Sequence, residues 1–338
     1  MSYETKLLTS ERCDIELAAR LLANGEVVGI PTETVYGLAA DATNEIAVSN
    51  IFKAKGRPQD NPLIVHLSDL CDLEKYVKNV PEIAYKLAER FWPGPLTMVL
   101  QKKDIIPYVT SAGLDTVGIR IPVHKTAREI IRLSGKALAA PSANLSGSPS
   151  PTIAKHVYND MRGRIPAIVD GGSCGVGVES TVISFEGDGI RLLRPGYISL
   201  ELLQEVCGTV YHDKGITEAV SENEKVLSPG MKYKHYSPKA NITIIKGNIE
   251  QFSDYVNKVH NENTYSLIFD SDKAYIKGKY LTYGDSSEEQ AKKLFFVLRE
   301  FDELGAKQVY VRCPSSIGVG LAVYNRLLRA AGFEVIKL

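Results

Sequence analysis

The stretch Val27-Val28-Gly29-Ile30-Pro31-Thr32-Glu33-Thr34-Val35-Tyr36-Gly37-Leu38 decides the first interpretation of the chain. Its apolar, partly β-branched beginning predicts a buried strand, which ends at Pro31 because proline cannot donate to a sheet ladder. Small polar side chains follow at once, and Gly37 permits a turn of the backbone. Polar residues at the end of a buried strand often line a ligand crevice in α/β proteins. An ordinary capped turn explains this stretch equally well, so other loops must decide between a capped turn and a ligand crevice.

A second loop brings two cations to one place. The spacing of apolar residues predicts a helix over residues 45–54. Gly56 suits the left-handed residue after a helix, and Pro58 cannot continue it, so Lys55 and Arg57 flank a sharp turn. The helix macrodipole favours a cation at this end, which explains Lys55 better than it explains Arg57.

A third loop offers uncharged hydrogen-bonding groups. The small-residue strand over residues 137–140 ends at Pro141, and the alternation of Ser142 and Asn144 places both side chains on one side of an extended loop. A hydrophilic loop with helix capping explains residues 148–152 adequately. It explains Ser142 and Asn144 less well.

Two predicted strands carry a titratable side chain. His66 lies in the apolar run 63–67, where a lone histidine is more often a satisfied core residue than a ligand. Arg120 lies in the strand 117–121, flanked by isoleucines. A charged residue in such a place is seldom buried without a partner, so we expect Arg120 to bind a carboxylate or a phosphate.

No standard phosphate-binding loop is present in the sequence. The glycine-rich segment 172–179 superficially resembles a dinucleotide fingerprint, but Ser180 replaces the third glycine and a strand follows instead of a helix. The chain also lacks a GxxxxGK[ST] motif. Any triphosphate must therefore be held by dispersed side chains.

Bulk properties narrow the class of protein. A chain of 338 residues favours two domains. Lysine plus arginine and aspartate plus glutamate both number 40, which argues against a free-standing nucleic-acid binder but leaves a local basic cleft open. Five dispersed cysteines indicate reduced thiols rather than a disulfide framework or a zinc site. Without a signal-type apolar core or a run of about 18 apolar residues, we expect no membrane span and a cytoplasmic location.

The organisation along the chain is that of an α/β protein with a second, smaller domain. We expect a catalytic domain over residues 1–207, a linker or lid over 208–238, and a C-terminal α/β domain over 239–338. In the last part, strands alternate with helices, which predicts a mainly parallel sheet. The predicted strands are 242–245, 265–269, 309–311 and 333–336, and the predicted helices are 249–260, 287–304 and 319–331. We interpret Arg312 and the turn at residues 315–318 as structural.

Together these loops resemble the signature blocks of YrdC-type domains. The blocks are Pro31 to Leu38, Lys55 to Pro58, Pro141 to Asn144 with Ser146-Gly147, and Ser180 to Val182. Their order, the linker and the C-terminal domain resemble the two-domain threonylcarbamoyl-AMP synthases over essentially the whole chain. The resemblance implies a twisted mixed-sheet catalytic domain with a deep concave face, followed by a Rossmann-like α/β domain.

The resemblance also implies a reaction. L-Threonine, bicarbonate and ATP would give threonylcarbamoyl-adenylate and pyrophosphate, with Mg²⁺ held mostly by phosphate oxygens and water. A downstream tRNA threonylcarbamoyl transferase complex would then modify the adenosine beside the anticodon, and transient contact with tRNA stays open. By the same resemblance, the catalytic residues are Lys55, Arg57, Ser142 and Asn144. The threonine-binding residues are Thr34, His66, Arg120 and Thr181. The ATP-binding residues are Arg57, Asn61, Thr116, Ser142, Ser150, Arg194 and Tyr236, the last as part of a lid.

One departure and three alternatives accompany this interpretation. Val123-His124-Lys125 stands where relatives often have a polar residue and His-Pro, which puts the shape of that loop in question. The first alternative is a non-catalytic RNA-binding module. The second is carbamoyl transfer of the hydrogenase-maturation type, although the paired CxxC motifs of those proteins are missing. The third is a C-terminal domain that senses a separate small molecule.

Overall fold

Two sheets with their helices make up the chain. The computed structural model describes residues 3–212, 216 and 236–338. A sheet of twelve strands is built from the first part of the chain, and a sheet of five strands is built from the last part. The first sheet mixes parallel and antiparallel pairs, whereas all pairs in the second are parallel. The expected α/β class, with a mixed-sheet domain followed by a smaller one, is confirmed.

The first sheet and its helices have the following bounds. The strands are β1 (Lys6–Leu8), β2 (Val28–Ile30), β3 (Gly37–Asp41), β4 (Ile64–His66), β5 (Val77–Lys78), β6 (Leu96–Lys102), β7 (Thr116–Arg120), β8 (Leu138–Ala139), β9 (Ala167–Val169), β10 (Thr181–Glu186), β11 (Gly189–Arg194) and β12 (Val210–His212). The helices are α1 (Arg12–Ala23), α2 (Glu45–Lys55), α3 (Leu73–Tyr76), α4 (Glu82–Phe91), α5 (Tyr108–Ser111), α6 (Lys125–Ser134), α7 (Ala154–Met161) and α8 (Leu200–Cys207). The strand order is β1-β9-β2-β3-β8-β4-β7-β6-β10-β11-β12, and β5 pairs with β6.

The second sheet has the order β15-β14-β16-β13-β17. Its strands are β13 (Asn241–Lys246), β14 (Thr264–Ile268), β15 (Lys279–Thr282), β16 (Gln308–Arg312) and β17 (Val335–Lys337). Its helices are α9 (Ile249–Val259), α10 (Ser287–Glu303) and α11 (Val319–Ala330). The predicted strands and helices of this part are all present, and the parallel pairing is confirmed. The edge strand β15 was not predicted.

The opening stretch forms a hairpin around a polar loop. Strands β2 and β3 pair antiparallel, with Ile30 opposite Gly37. Gly37 does not adopt the left-handed conformation of a turn, so that part of the prediction is wrong. A Cβ at Gly37 would lie 3.2 Å from the Cβ of Ala140, so the glycine permits close packing of two strand ends. This packing brings the loop at residues 31–36 beside the loop that follows β8.

The second domain packs against a loop of the first. Gly177 has a φ of +80°, and a Cβ there would lie 2.4 Å from the Cα of Lys292 in α10. Val178 and Val35 join the apolar core of the second domain, where they lie in one cluster with Phe295. The predicted linker lies mostly outside the described residues, and the domain boundaries stay a prediction. No helix in the described ranges has the length and apolar character that crossing a membrane requires.

Candidate active site

A cavity that is open to solvent lies where the predicted loops meet. Its wall is built from the β2–β3 loop, the end of α2, the ends of β4 and β7, the segment after β8, and the segments around residues 180 and 194. Tyr236 closes one side. The four residues Lys55, Arg57, Ser142 and Asn144 all line this one cavity, although they come from two loops distant in sequence.

Lys55 connects these two loops directly. It is the last residue of α2, and its side chain is buried. Its Nζ donates hydrogen bonds to the backbone carbonyls of Ser142 and of Asn144, the latter at 2.7 Å. Burial, with a smaller contribution from Arg57, lowers the pKa of Lys55 well below its ordinary value. Lys55 therefore fixes the Ser142 loop against the helix end as well as lining the cavity.

Arg57 follows the left-handed Gly56 and points a guanidinium into the cavity. Gly56 has a φ of 62°, as the sequence predicts for the residue after a helix. Arg57 Nη2 donates to the carbonyl of Asn61 at 3.2 Å. Its Nε is buried and has no hydrogen-bond partner among the described residues. Burial lowers the pKa of Arg57 to about 10, so the side chain remains charged at neutral pH. A buried, unpaired N–H on a cation is suited to an anion.

Ser142 and Asn144 hold each other and the loop around them. Ser142 Oγ donates to Asn144 Oδ1 at 2.5 Å, and Asn144 Nδ2 donates to the carbonyls of Leu145 and Ser148 at 2.7 and 2.8 Å. The predicted common orientation of the two side chains agrees with this contact. Because the asparagine amide binds its own loop, the loop is held in one shape at the cavity wall.

Arg120 and His66 lie opposite each other at the ends of two parallel strands. They are register partners in β7 and β4. Arg120 Nη1 donates to Thr34 Oγ1 at 2.8 Å, and Nη2 forms an ion pair with Glu33 Oε1 at 2.5 Å. Arg120 therefore binds a carboxylate, as the sequence predicts, but the carboxylate is one of this chain. Burial would raise the pKa of Glu33, yet Arg120 holds it below its ordinary value.

His66 is a neutral side chain in this wall. Burial, and to a smaller extent the charge of Arg120, lowers the pKa of His66 to about 3. Its Nδ1 is buried without a hydrogen-bond partner among the described residues. His66 can therefore hydrogen-bond a ligand at neutral pH, but it carries no charge there.

Arg194 and Tyr236 form the other side of the cavity. Arg194 donates to the carbonyl of Ser180 from Nε at 3.1 Å and from Nη2 at 3.0 Å. Burial lowers the pKa of Arg194 to about 10, so it adds a charged guanidinium to those of Arg57 and the ion-paired Arg120. The ring of Tyr236 lies 5.2 Å from that of Phe295 in α10, measured between centroids. The rest of the predicted lid before Tyr236 lies outside the described residues, except for residues 208–212 and 216.

Four of the predicted binding residues lie behind the cavity wall or away from it. Thr181 Oγ1 donates to the carbonyl of Ile198 at 2.7 Å, and Ser150 Oγ donates to Glu179 Oε1 at 2.6 Å. Asn61 is buried beside the lining residue Pro62, and its Oδ1 has no hydrogen-bond partner in the described part of the chain. Thr116 lines a neighbouring depression that shares residues 62–64 with the main cavity.

Three residues of the site were not assigned by sequence reasoning. Glu33 pairs with Arg120, Glu179 lines the cavity and accepts from Ser150, and Ser180 accepts from Arg194. Glu33 and Ser180 lie in the conspicuous polar blocks, which was a usable signal. Glu179 ends the glycine-rich segment, and its partner lies too far away in the chain for any local pattern to show.

The electrostatics of the cavity favour anionic ligands. Lys55, Arg57 and Arg194 line it as basic side chains beyond the paired Arg120. Among its described lining residues, Glu179 carries the sole carboxylate, and Arg326 binds that group at 2.8 Å. A cavity with positioned basic side chains and hydroxyls can bring two anions together and stabilise charge that develops between them.

Comparison with known proteins identifies the family. Residues 20–196 match the family model described as "Telomere recombination", and residues 198–332 match the model of the threonylcarbamoyl-AMP synthase C-terminal domain. The threonylcarbamoyl-AMP synthase of Bacillus subtilis is 45% identical over 98% of this chain and 97% of its own. That of Pyrococcus abyssi is 42% identical over 97% of each.

A solved structure agrees with these matches. The crystal structure of P. abyssi Sua5 complexed with L-threonine superposes with a TM-score of 0.92 and 41% identity, over 99% of this chain and 100% of that one. The resemblance first seen in the motif blocks is thereby confirmed for both domains. The chain belongs to the family of the threonylcarbamoyl-AMP synthases.

Proposed function

We propose that this chain joins L-threonine, bicarbonate and ATP into threonylcarbamoyl-adenylate and releases pyrophosphate. The observation that carries the proposal is the cavity in which Lys55, Arg57, Ser142 and Asn144 meet, with the buried Nε of Arg57 unpaired among the described residues. Relatives that carry the name of this activity span nearly the same length. The adenylate would serve threonylcarbamoyl modification of the tRNA adenosine beside the anticodon.

The proposed chemistry needs two anions to approach each other. The amine of threonine forms an N–C bond to bicarbonate as a C–O bond breaks and water leaves, which gives a carbamate, and a carbamate oxygen then attacks the α-phosphorus of ATP. A new P–O bond forms as the bond to the β-phosphate breaks and pyrophosphate leaves with the electron pair. Arg57 offers a bidentate fork for phosphate oxygens, and Ser142 offers a hydroxyl without added charge. Positioning and charge stabilisation supply most of the catalysis in such a transfer.

The threonine pocket is proposed at the ends of β4 and β7. Thr34, His66 and Arg120 converge there, and all three line the cavity. Glu33 forms an ion pair with Arg120 and offsets its charge. We propose that Arg120 keeps this ion pair while its guanidinium also binds the threonine carboxylate. Thr181 shapes the pocket through its hydrogen bond to Ile198 instead of touching the substrate.

The nucleotide is proposed on the side of Arg57, Arg194 and Tyr236. We place Ser142, which lines the cavity, on the same side, whereas Asn61, Thr116 and Ser150 would act from behind the wall or from its rim. Magnesium ions prefer an octahedral shell of oxygen ligands. The described residues contain no cluster of three metal-binding side chains, and Glu179 is taken up by Arg326 and Ser150. This donor set fits Mg²⁺ that arrives on the phosphates of ATP, keeps water ligands and neutralises phosphate charge.

The cellular setting follows from the chemistry of the product. A mixed anhydride of this kind hydrolyses readily, so we propose transfer to a tRNA threonylcarbamoyl transferase complex in the cytoplasm. All five cysteines are free thiols, which suits a reducing compartment.

Substrate-dependent release of pyrophosphate tests the proposal. The purified chain is incubated with ATP, Mg²⁺, L-threonine and bicarbonate, and each component is left out in turn. We expect release that requires all of them, with L-serine substituting poorly for L-threonine. ATP turnover that is indifferent to threonine and bicarbonate would overturn the proposed reaction.

A further inference from the structure

Arg326 of α11 crosses from the second domain into the first. Its side chain is fully buried, at 0% exposure. Nε donates to Glu179 Oε2 at 2.8 Å, and Nη1 donates to the carbonyl of Pro195 at 2.9 Å. One guanidinium thus binds two segments of the catalytic domain that are separate in sequence.

Both segments end on the wall of the cavity. Glu179 lines the cavity, and its other oxygen accepts a hydrogen bond from Ser150 at 2.6 Å. Pro195 directly follows Arg194, whose guanidinium also lines the cavity. Arg326 is therefore one residue removed from Ser150 and from Arg194. Among the described residues, Arg326 forms its hydrogen bonds with Glu179, Pro195 and Asn325, and none with His66 or Arg120 at the ends of β4 and β7.

A second arginine of the same domain holds the Ser150 segment from the other side. Arg299 of α10 donates to the carbonyl of Pro149 at 2.6 Å from Nη2 and forms an ion pair with Asp160 at 2.7 Å. Asp160 in turn accepts from the backbone N–H of Leu145, in the loop of Asn144. The second domain thus fixes one part of the cavity wall at several points.

Apolar contacts generally stabilise an interface at least as well as a buried ion pair does, because the ion pair loses much of its Coulombic gain to desolvation. Stability alone therefore does not explain the buried arginine. We propose that Arg326 is a positioning residue for the nucleotide. Through Glu179 and Pro195, it fixes Arg194 on the cavity wall and Ser150 behind it, on the side where the nucleotide is proposed to bind. The inference rests on the proposed function, and it makes the second domain a structural half of the nucleotide site.

The test compares binding of two ligands to the full-length chain by isothermal titration. The ligands are α,β-methylene-ATP with Mg²⁺, and L-threonine. For Arg326→Met, we expect binding of the nucleotide analogue to weaken at least tenfold, whereas the threonine Kd changes less than twofold. Arg326→Lys keeps the charge near Glu179 but loses the geometry of the fork, so it should recover part of the affinity. It also carries the test if the methionine variant fails to fold.

A partly buried arginine whose contacts stay within its own domain provides the control. Arg312 pairs with Asp272 at 3.2 Å within the second domain, so Arg312→Met should lower the melting temperature but leave both Kd values unchanged. In the background Glu179→Gln, Arg326→Met should cost much less nucleotide affinity than in the wild type. Equal loss for both ligands, or unchanged nucleotide binding, would overturn the inference. A wild-type chain that binds neither ligand would instead overturn the proposed function.

Discussion

The proposed reaction depends on Arg57 more than on any other single residue. It supplies a buried N–H without a partner among the described residues, at the point where two loops meet. We expect Arg57→Ala to lower pyrophosphate release by about 100-fold or more, the usual cost of losing a donor to transition-state charge. Arg57→Lys should recover little of this, because an ammonium cannot replace the planar fork.

The matched control for Arg57 is an arginine on the surface. Arg132 pairs with Glu129 on α6 and is exposed, so Arg132→Ala should leave turnover unchanged. Circular dichroism would verify that Arg57→Ala keeps the fold. Release within threefold of wild type in a folded Arg57→Ala variant would contradict the assigned role.

His66 links the site to the pH dependence of stability. Burial lowers the pKa of His66 to about 3 in the folded chain, whereas the unfolded chain titrates near the ordinary value of 6.5. Below pH 6.5 the unfolded state therefore binds a proton that the folded state does not bind. The free energy of unfolding consequently decreases as the pH is lowered. We expect this group to account for a loss of about 2 kcal/mol between pH 6.5 and pH 5.

Urea unfolding at these two pH values measures the effect. The variant His66→Gln should lose less stability than wild type on acidification, while the exposed His212→Gln should behave like wild type. Identical pH dependence in wild type and His66→Gln would show that the histidine is not held neutral in the folded chain.

At the scale of elements, the loop at residue 177 and α10 are in close contact between the domains. Gly177→Ala places a methyl group 2.4 Å from the Cα of Lys292 on a residue with positive φ. We expect a destabilisation of about 2–4 kcal/mol and a melting temperature lower by about 5–10 °C. Gly175→Ala, on the same loop with no atom within 4 Å, is the control and should change little. Equal melting temperatures for the two variants would contradict the proposed close docking.

Elements with a strong local pattern were predictable from the sequence. The helix predicted over residues 45–54 is observed as Glu45–Lys55, and Gly56 follows it in the expected left-handed conformation. The strand β3 was missed, because its sequence Gly-Leu-Ala-Ala-Asp lacks the β-branched residues that signal strands. Its small residues are instead required by close packing, which becomes visible only in three dimensions.

At the scale of the whole molecule, the sequence predicted the types of residue in the candidate site, but not the hydrogen bonds and ion pairs that connect them. The motif blocks indicated that Lys55, Arg57, Ser142 and Asn144 meet, and they do. The pairing of Arg120 with Glu33 was only partly predictable, since the sequence indicated a partner for Arg120 but did not identify Glu33 as that partner. The pair of Glu179 and Arg326 was not predictable, because its members are separated by 147 positions and no periodic pattern connects them.

The central claim is that one cavity joins a carbamate made from threonine and bicarbonate to the adenylyl group of ATP. The measurement that tests it most directly is mass spectrometry of the nucleotide products formed from ATP, L-threonine and ¹³C-bicarbonate. We expect an adenylate that contains threonine and the labelled carbon, formed together with pyrophosphate. Consumption of ATP without any labelled adenylate in freshly quenched samples would contradict it.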